Sequence, residues 1–131
     1  MTQLFSIGQA AKLTALSVKM IRHYESIGLI TPSARTEAQY RLFSEEDLHR
    51  LHFIRRARRL GFAMTQVAEL LTLWQGHRPS REVKQLALTH INELDQRIIE
   101  LQAMRDTLSK LAERCHGDQQ PSCPILADLQ V

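Results

Sequence analysis

The chain has 131 residues, 44% of them hydrophobic, and a formal net charge of +3. That is enough for one folded domain and an extended element beside it. It shows no run of about eighteen apolar residues, no signal-peptide core and no lipidation motif. The expectation is therefore a soluble, cytoplasmic protein with no membrane partner. Its charge is divided: ten Lys or Arg stand against six Asp or Glu from Met1 to Gln75, and seven against eight from Gly76 to Val131. A basic first half raises the odds of a nucleic-acid partner only slightly, because solvated surfaces carry charge of this size. No Gly-rich phosphate loop and no Ser/His/Asp arrangement is evident, so an enzyme is not expected.

In chain order, Ser6 with Gln9 forms a capping-box pattern that opens a short helix to about Leu13, with Ile7, Ala10 and Ala11 as its apolar face. Ser17 then caps a second helix from Val18 to Ile27, which Gly28 ends. Two short helices three residues apart point to a helix-turn-helix, whose second helix would present Val18, Lys19 and Arg22 to base edges. Ala15 falls in the turn, where a left-handed backbone costs a residue with a Cβ about 1 kcal/mol. Leu13, Leu16 and Met20 are expected in the core.

The helical period stops between Leu29 and Phe43, where Pro32 interrupts the chain. This segment reads as a two-stranded wing with Arg35 and Arg41 at its ends, able to pair with phosphates, and with Tyr40 offering a hydroxyl and a ring face. Ser44 with Asp47 caps a third helix to about Leu60, carrying Leu48, Leu51, Phe53 and Ile54 for packing and a cluster at Arg55, Arg56, Arg58 and Arg59. After Gly61, Met64 to Trp74 forms a fourth helix with Val67, Leu70 and Leu71 inward. Residues 76–79 read as a hinge.

A long helix follows from Ser80 to about Glu113. Ala87, Ile91, Leu94, Ile98, Leu101, Leu108 and Ala112 recur in alternating steps of three and four, the spacing of a coiled-coil seam, with Arg105 at one seam position. At 1.5 Å per residue the helix would be about 50 Å long. That exceeds what a small domain can cover, so the expected partner is a second copy, antiparallel or parallel.

The tail holds both cysteines, Cys115 and Cys123. Gly117 and Pro121 favour turns that can bring the two thiolates together. Two sulfurs without a dependable third ligand differ from a four-ligand zinc site and suit a soft ion content with two-coordination, above all Cu(I), with Ag(I) and Au(I) as relatives. His116 and His77 are possible additional ligands, whereas Met64 is too isolated to be one.

The helix pair, wing, Arg-rich helix and dimerisation helix, in that order, resemble the MerR family of transcriptional regulators along nearly the whole chain. The resemblance is carried by Ile7-Gly8-Gln9-Ala10-Ala11, by Ile21-Arg22-His23-Tyr24-Glu25 with Gly28-Leu29-Ile30, by Tyr40-Arg41, and by Ile54 through Phe62. Gln39 stands where the family usually has glycine. The resemblance implies a mainly α fold: a winged helix-turn-helix DNA-binding domain at 1–75, a hinge at 76–79, a long antiparallel coiled-coil dimerisation helix at 80–113, and a metal-binding loop and tail at 114–131. It further implies DNA contacts from Lys19, Arg22, Tyr24, Arg35, Tyr40, Arg41 and Arg58. Family members bind promoter DNA as homodimers and act with RNA polymerase, an effector distorting the DNA to activate transcription.

The seven-residue spacing between the thiols, followed by Pro124-Ile125, resembles the copper-efflux (CueR-like) subclass. Mercury, zinc and lead sensors of the family add a cysteine where this chain has Ser80. Two thiolates around a monovalent ion carry a charge of −1, which the N-terminus of a partner's helix at Ser80 could stabilise. Two other readings stay open: a cytosolic copper buffer or chaperone that does not use DNA, and a thiol redox sensor acting through a Cys115–Cys123 disulfide.

Overall fold

The structure, a computed structural model, describes residues 3–119 and 121–130. The chain divides into two units, the first reaching Val83 and the second beginning at Lys84. The boundary between the units falls about one turn inside the long helix.

In the first unit a short strand, β1 (Leu4–Ser6), leads directly into α1 (Ile7–Thr14). Ser6 is the N-cap, its hydroxyl accepting the Gln9 backbone N–H while the Gln9 side chain accepts that of Ser6. This reciprocal pairing satisfies two of the donors that a helix start leaves open. Ala15 ends α1 in the left-handed conformation, with φ 57°. Two residues later Ser17 caps α2 (Val18–Ser26) through the Met20 N–H. Gly28, at φ 80°, closes α2 where a side chain would be strained, and the Leu29 N–H returns to the Tyr24 carbonyl.

The wing consists of β2 (Ala34–Arg35) and β3 (Arg41–Ser44), antiparallel, with Ala34 opposite Leu42 and Arg35 opposite Arg41. The two-stranded wing the sequence indicates is part of a three-stranded sheet: β1 pairs with the other edge of β3, placing Phe5 opposite Phe43 and giving the order β1-β3-β2. The wing is thereby fastened to the start of α1.

Ser44 ends β3 and caps α3 (Glu45–Arg59) in a second capping box with Asp47. Asp47 is buried and gathers more than its cap. One oxygen accepts the backbone N–H groups of Ser33 and Ser44 at 3.1 and 2.9 Å, and the other accepts Arg50 Nη1 at 3.0 Å. Ser33 and Ser44 lie at the two ends of the wing, so one carboxylate clamps its base. After Gly61, α4 (Met64–Gln75) packs back on α3, with the Phe53 and Trp74 rings stacked at 4.9 Å and 2° between planes.

Phe43, Ile21, Leu51, Ile54 and Val67 are fully buried. Each contributes on the order of 2 kcal/mol by leaving water. Leu13 and Met20, expected in this core, are instead exposed, at 54% and 37%. The buried positions on these helices go to Ala10 and Thr14 on α1 and to Ile21 and Tyr24 on α2, each set three or four residues apart.

The second unit is dominated by α5, which runs from Ser80 to Arg114. Ile91, Ile98, Leu101 and Leu108 of its seam are each about half exposed or more. Arg105, at the polar seam position, turns to Asp106 at 3.3 Å. A further helix, α6 (Pro124–Leu129), follows the thiol loop. Among the described residues no helix is long and apolar enough to cross a membrane.

Candidate nucleic-acid interface and thiol pair

On α2, Lys19 and Arg22 are exposed, as expected of residues that meet a ligand. Tyr24 is not. It is 2% exposed and lies in the core, because it shares the inward face with Ile21 three residues earlier. Its ring therefore packs in the core. The outward aromatic position belongs to His23, whose ring stands 6.1 Å from that of Tyr24. Ile21 and Tyr24 share an i,i+3 phase, but one such pair in a nine-residue helix does not fix which face turns inward.

In the wing, Tyr40 is 73% exposed at the end of a turn in which the Gln39 N–H donates to the Thr36 carbonyl at 2.8 Å. Gln39 holds φ 68°, so the turn that usually uses glycine is made here with a Cβ. Arg35 and Arg41 are not at opposite ends of the ribbon but directly across from each other. Both reach Glu25 of α2: Arg35 Nη2 meets Oε1 at 3.1 Å, and Arg41 Nε meets Oε2. Arg58 donates to the Phe62 carbonyl at 2.8 Å, bracing the turn after α3.

In the second unit, the Sγ atoms of Cys115 and Cys123 are 3.6 Å apart, both thiols free and half-buried. This is far beyond an S–S bond of about 2.05 Å. It is about 1 Å short of the roughly 4.6 Å that two collinear metal–sulfur bonds of about 2.3 Å span, so a linear site would require the sulfurs to move apart. The arrangement is local: the Cys115 N–H is held by the Ala112 carbonyl at the end of α5, and Cys123 is the N-cap of α6, with Pro124 at its first position. The Leu126 backbone N–H, then Cys115 and the Ile125 N–H, hold the Cys123 thiol below its ordinary range, with desolvation opposing them.

Among the described residues no group of three or more His, Cys, Asp and Glu gathers in a metal-binding arrangement. Two soft sulfurs brought together in this way fit a thiophilic ion of low coordination number. His116 lines the same shallow cleft as Cys123, with Pro121, Pro124 and Leu126. His77 belongs to a different place, a cleft of the first unit with Glu45, Glu46 and His49, where it turns the chain at φ 50°. Ser80 is the first residue of α5.

A helix pair with an adjoining wing, its second helix carrying exposed basic residues, defines a DNA-binding protein of the winged helix-turn-helix class. More narrowly, the chain belongs to the MerR family of transcriptional regulators: it matches the MerR HTH family regulatory protein description over residues 5–73 and the MerR DNA-binding description over residues 48–111. It is a regulator and not an enzyme. It is 50% identical to the heavy metal-dependent transcription regulator 2 of Rhizobium meliloti, over 95% of this chain and 85% of that one. To the transcriptional regulator CueR of Salmonella typhimurium it is 42% identical, over 95% and 91%. The structure of the transcription regulator PbrR691 from Ralstonia metallidurans in complex with lead(II) matches with a TM-score of 0.79 at 33% identity, over 95% of this chain and 98% of that one.

Proposed function

We propose that the chain is a cytoplasmic Cu(I)-responsive activator, for which Ag(I) and Au(I) can substitute, that binds double-stranded promoter DNA as a homodimer. With RNA polymerase it would switch on copper-efflux and detoxification promoters by metal-dependent DNA distortion. The observation that carries this reading is the 3.6 Å approach of Cys115 and Cys123, with no third metal-binding side chain grouped with them among the described residues. The names of its relatives support a metal response in general, and the donor set supports the monovalent, thiophilic choice. Ser80 adds to this, since it supplies no third thiolate at the start of α5.

In this reading residues 1–75 recognise the promoter, 76–79 form the hinge, 80–113 dimerise and 114–131 sense the metal. Lys19 and Arg22 reach base edges and phosphates from α2; Arg35, Tyr40 and Arg41 follow the backbone from the wing; and Arg58 adds a backbone contact from α3. Cys115 and Cys123 hold the ion as thiolates, and the α5 N-terminus of a partner subunit, at Ser80, offsets the site's remaining charge. The exposed seam of α5 supports pairing between copies. Bending a promoter costs several kcal/mol, an amount that a stiff dimer with two recognition heads can supply from its contacts.

The test is anaerobic transcription in vitro from a promoter duplex that the wild-type protein enriches from a genomic library. Cu(I) should raise transcript by roughly tenfold or more, in the range of typical allosteric coupling, and Zn(II) should not. Cys115→Ser or Cys123→Ser should abolish the rise while leaving the metal-free protein's affinity for the duplex within about twofold. Activation that survives either substitution would refute the thiol pair as sensor.

A further inference from the structure

We propose that Glu25 is a positioning residue for DNA recognition: one carboxylate that locks both wing arginines to the recognition helix and so sets how well the protein tells its operator from random sequence. The inference rests on the DNA-binding reading of α2 and the wing.

Glu25 lies in the last turn of α2, three residues beyond Arg22. A negative charge is disfavoured at a helix C-terminus, so helix electrostatics alone would not place a carboxylate there. What holds it is the wing: its two oxygens each take one guanidinium, Arg35 from β2 and Arg41 from β3, while its side chain is only 16% exposed. Those arginines face each other across the strand pair. Like charges directly opposite repel, and the carboxylate between them removes the repulsion. Arg35 is fixed further by Nη1 donating to the Gln39 carbonyl at 3.1 Å.

Two consequences follow for DNA. A guanidinium has five donors in a rigid fork, and Glu25 occupies one edge of each, so the partly exposed remainder can still meet a phosphate in a fixed orientation. The phosphate contacts that set register are thus tied to the same element that reads the bases. In addition, the carboxylate offsets one of the two positive charges. An arbitrary phosphate backbone gains less from such a wing than one that arrives in register, which lowers non-specific binding more than specific binding.

The test compares wild type with Glu25→Gln, which keeps the shape and the hydrogen-bond acceptor but not the charge. Affinities are measured across a range of salt concentrations, for a duplex enriched by the wild-type protein from a randomised library and for poly(dI-dC). In the variant, affinity for poly(dI-dC) should rise, its log–log salt slope should steepen by about 1, and the ratio of specific to non-specific affinity should fall roughly tenfold. Glu25→Asp keeps the charge but is too short to span both arginines. It should lower the ratio as well, with the poly(dI-dC) slope unchanged. A parallel loss of both affinities with ratio and slope unchanged would show a merely structural role and overturn the inference, as would an unchanged ratio in Glu25→Asp. If the wild-type protein enriches no duplex, the DNA-binding reading fails and takes the inference with it.

Discussion

Ala15 and Gln39 both hold the left-handed backbone, at φ 57° and 68°, one between the helices of the recognition pair and the other in the wing turn. Each position carries a penalty of about 1 kcal/mol that glycine would not. Replacing either with glycine should therefore stabilise the protein only slightly, by up to about 0.6 kcal/mol once the greater freedom of glycine in the unfolded chain is subtracted. Thermal unfolding of Ala15→Gly and Gln39→Gly checks this; a lower midpoint in both variants would show that these side chains hold contacts worth more than the backbone strain. The strain at Ala15 was legible beforehand because a turn between two capped helices leaves few conformations. The Ser6, Ser17 and Ser44 caps were legible for the same reason, each being an interaction within three residues. The inward turn of Tyr24 and the exposure of Leu13 and Met20 depend on which side of a helix meets the rest of the fold. In α1 and α2, only eight and nine residues long, the period is too short to fix that phase.

At the scale of elements, α5 was the easiest to read, since its seam repeats from Ala87 to Ala112 within a helix of 35 residues. Its unpartnered apolar stripe makes a direct prediction. Ile98→Glu places a charge on the seam and should shift the protein from dimer to monomer in sedimentation equilibrium, with an association constant lower by at least roughly a hundredfold. A dimer of unchanged affinity would move the interface elsewhere. The elements missed in the sequence are β1, with three residues, and α6, with six. A strand such as β1 has no identity apart from the partner it pairs with, and an isolated six-residue helix lies far below the length that propensity can sustain. Glu25 was missed in the same way: its partners are ten and sixteen residues away, and only the fold brings Arg35 and Arg41 to it.

For the whole molecule, the first unit provides the apparatus for reading DNA and the second provides a thiol pair and a long apolar seam. The metal choice is the claim on which the regulatory account turns, because a pair of sulfurs 3.6 Å apart does not by itself name an ion. The most direct test is an anaerobic competition titration of the reduced protein with Cu(I) and Zn(II), read by X-ray absorption at the copper edge. The account predicts two sulfur neighbours for each Cu(I), with short, linear-type bonds, and no displacement by Zn(II). Three or four ligands about the copper, or Zn(II) taking its place, would contradict it.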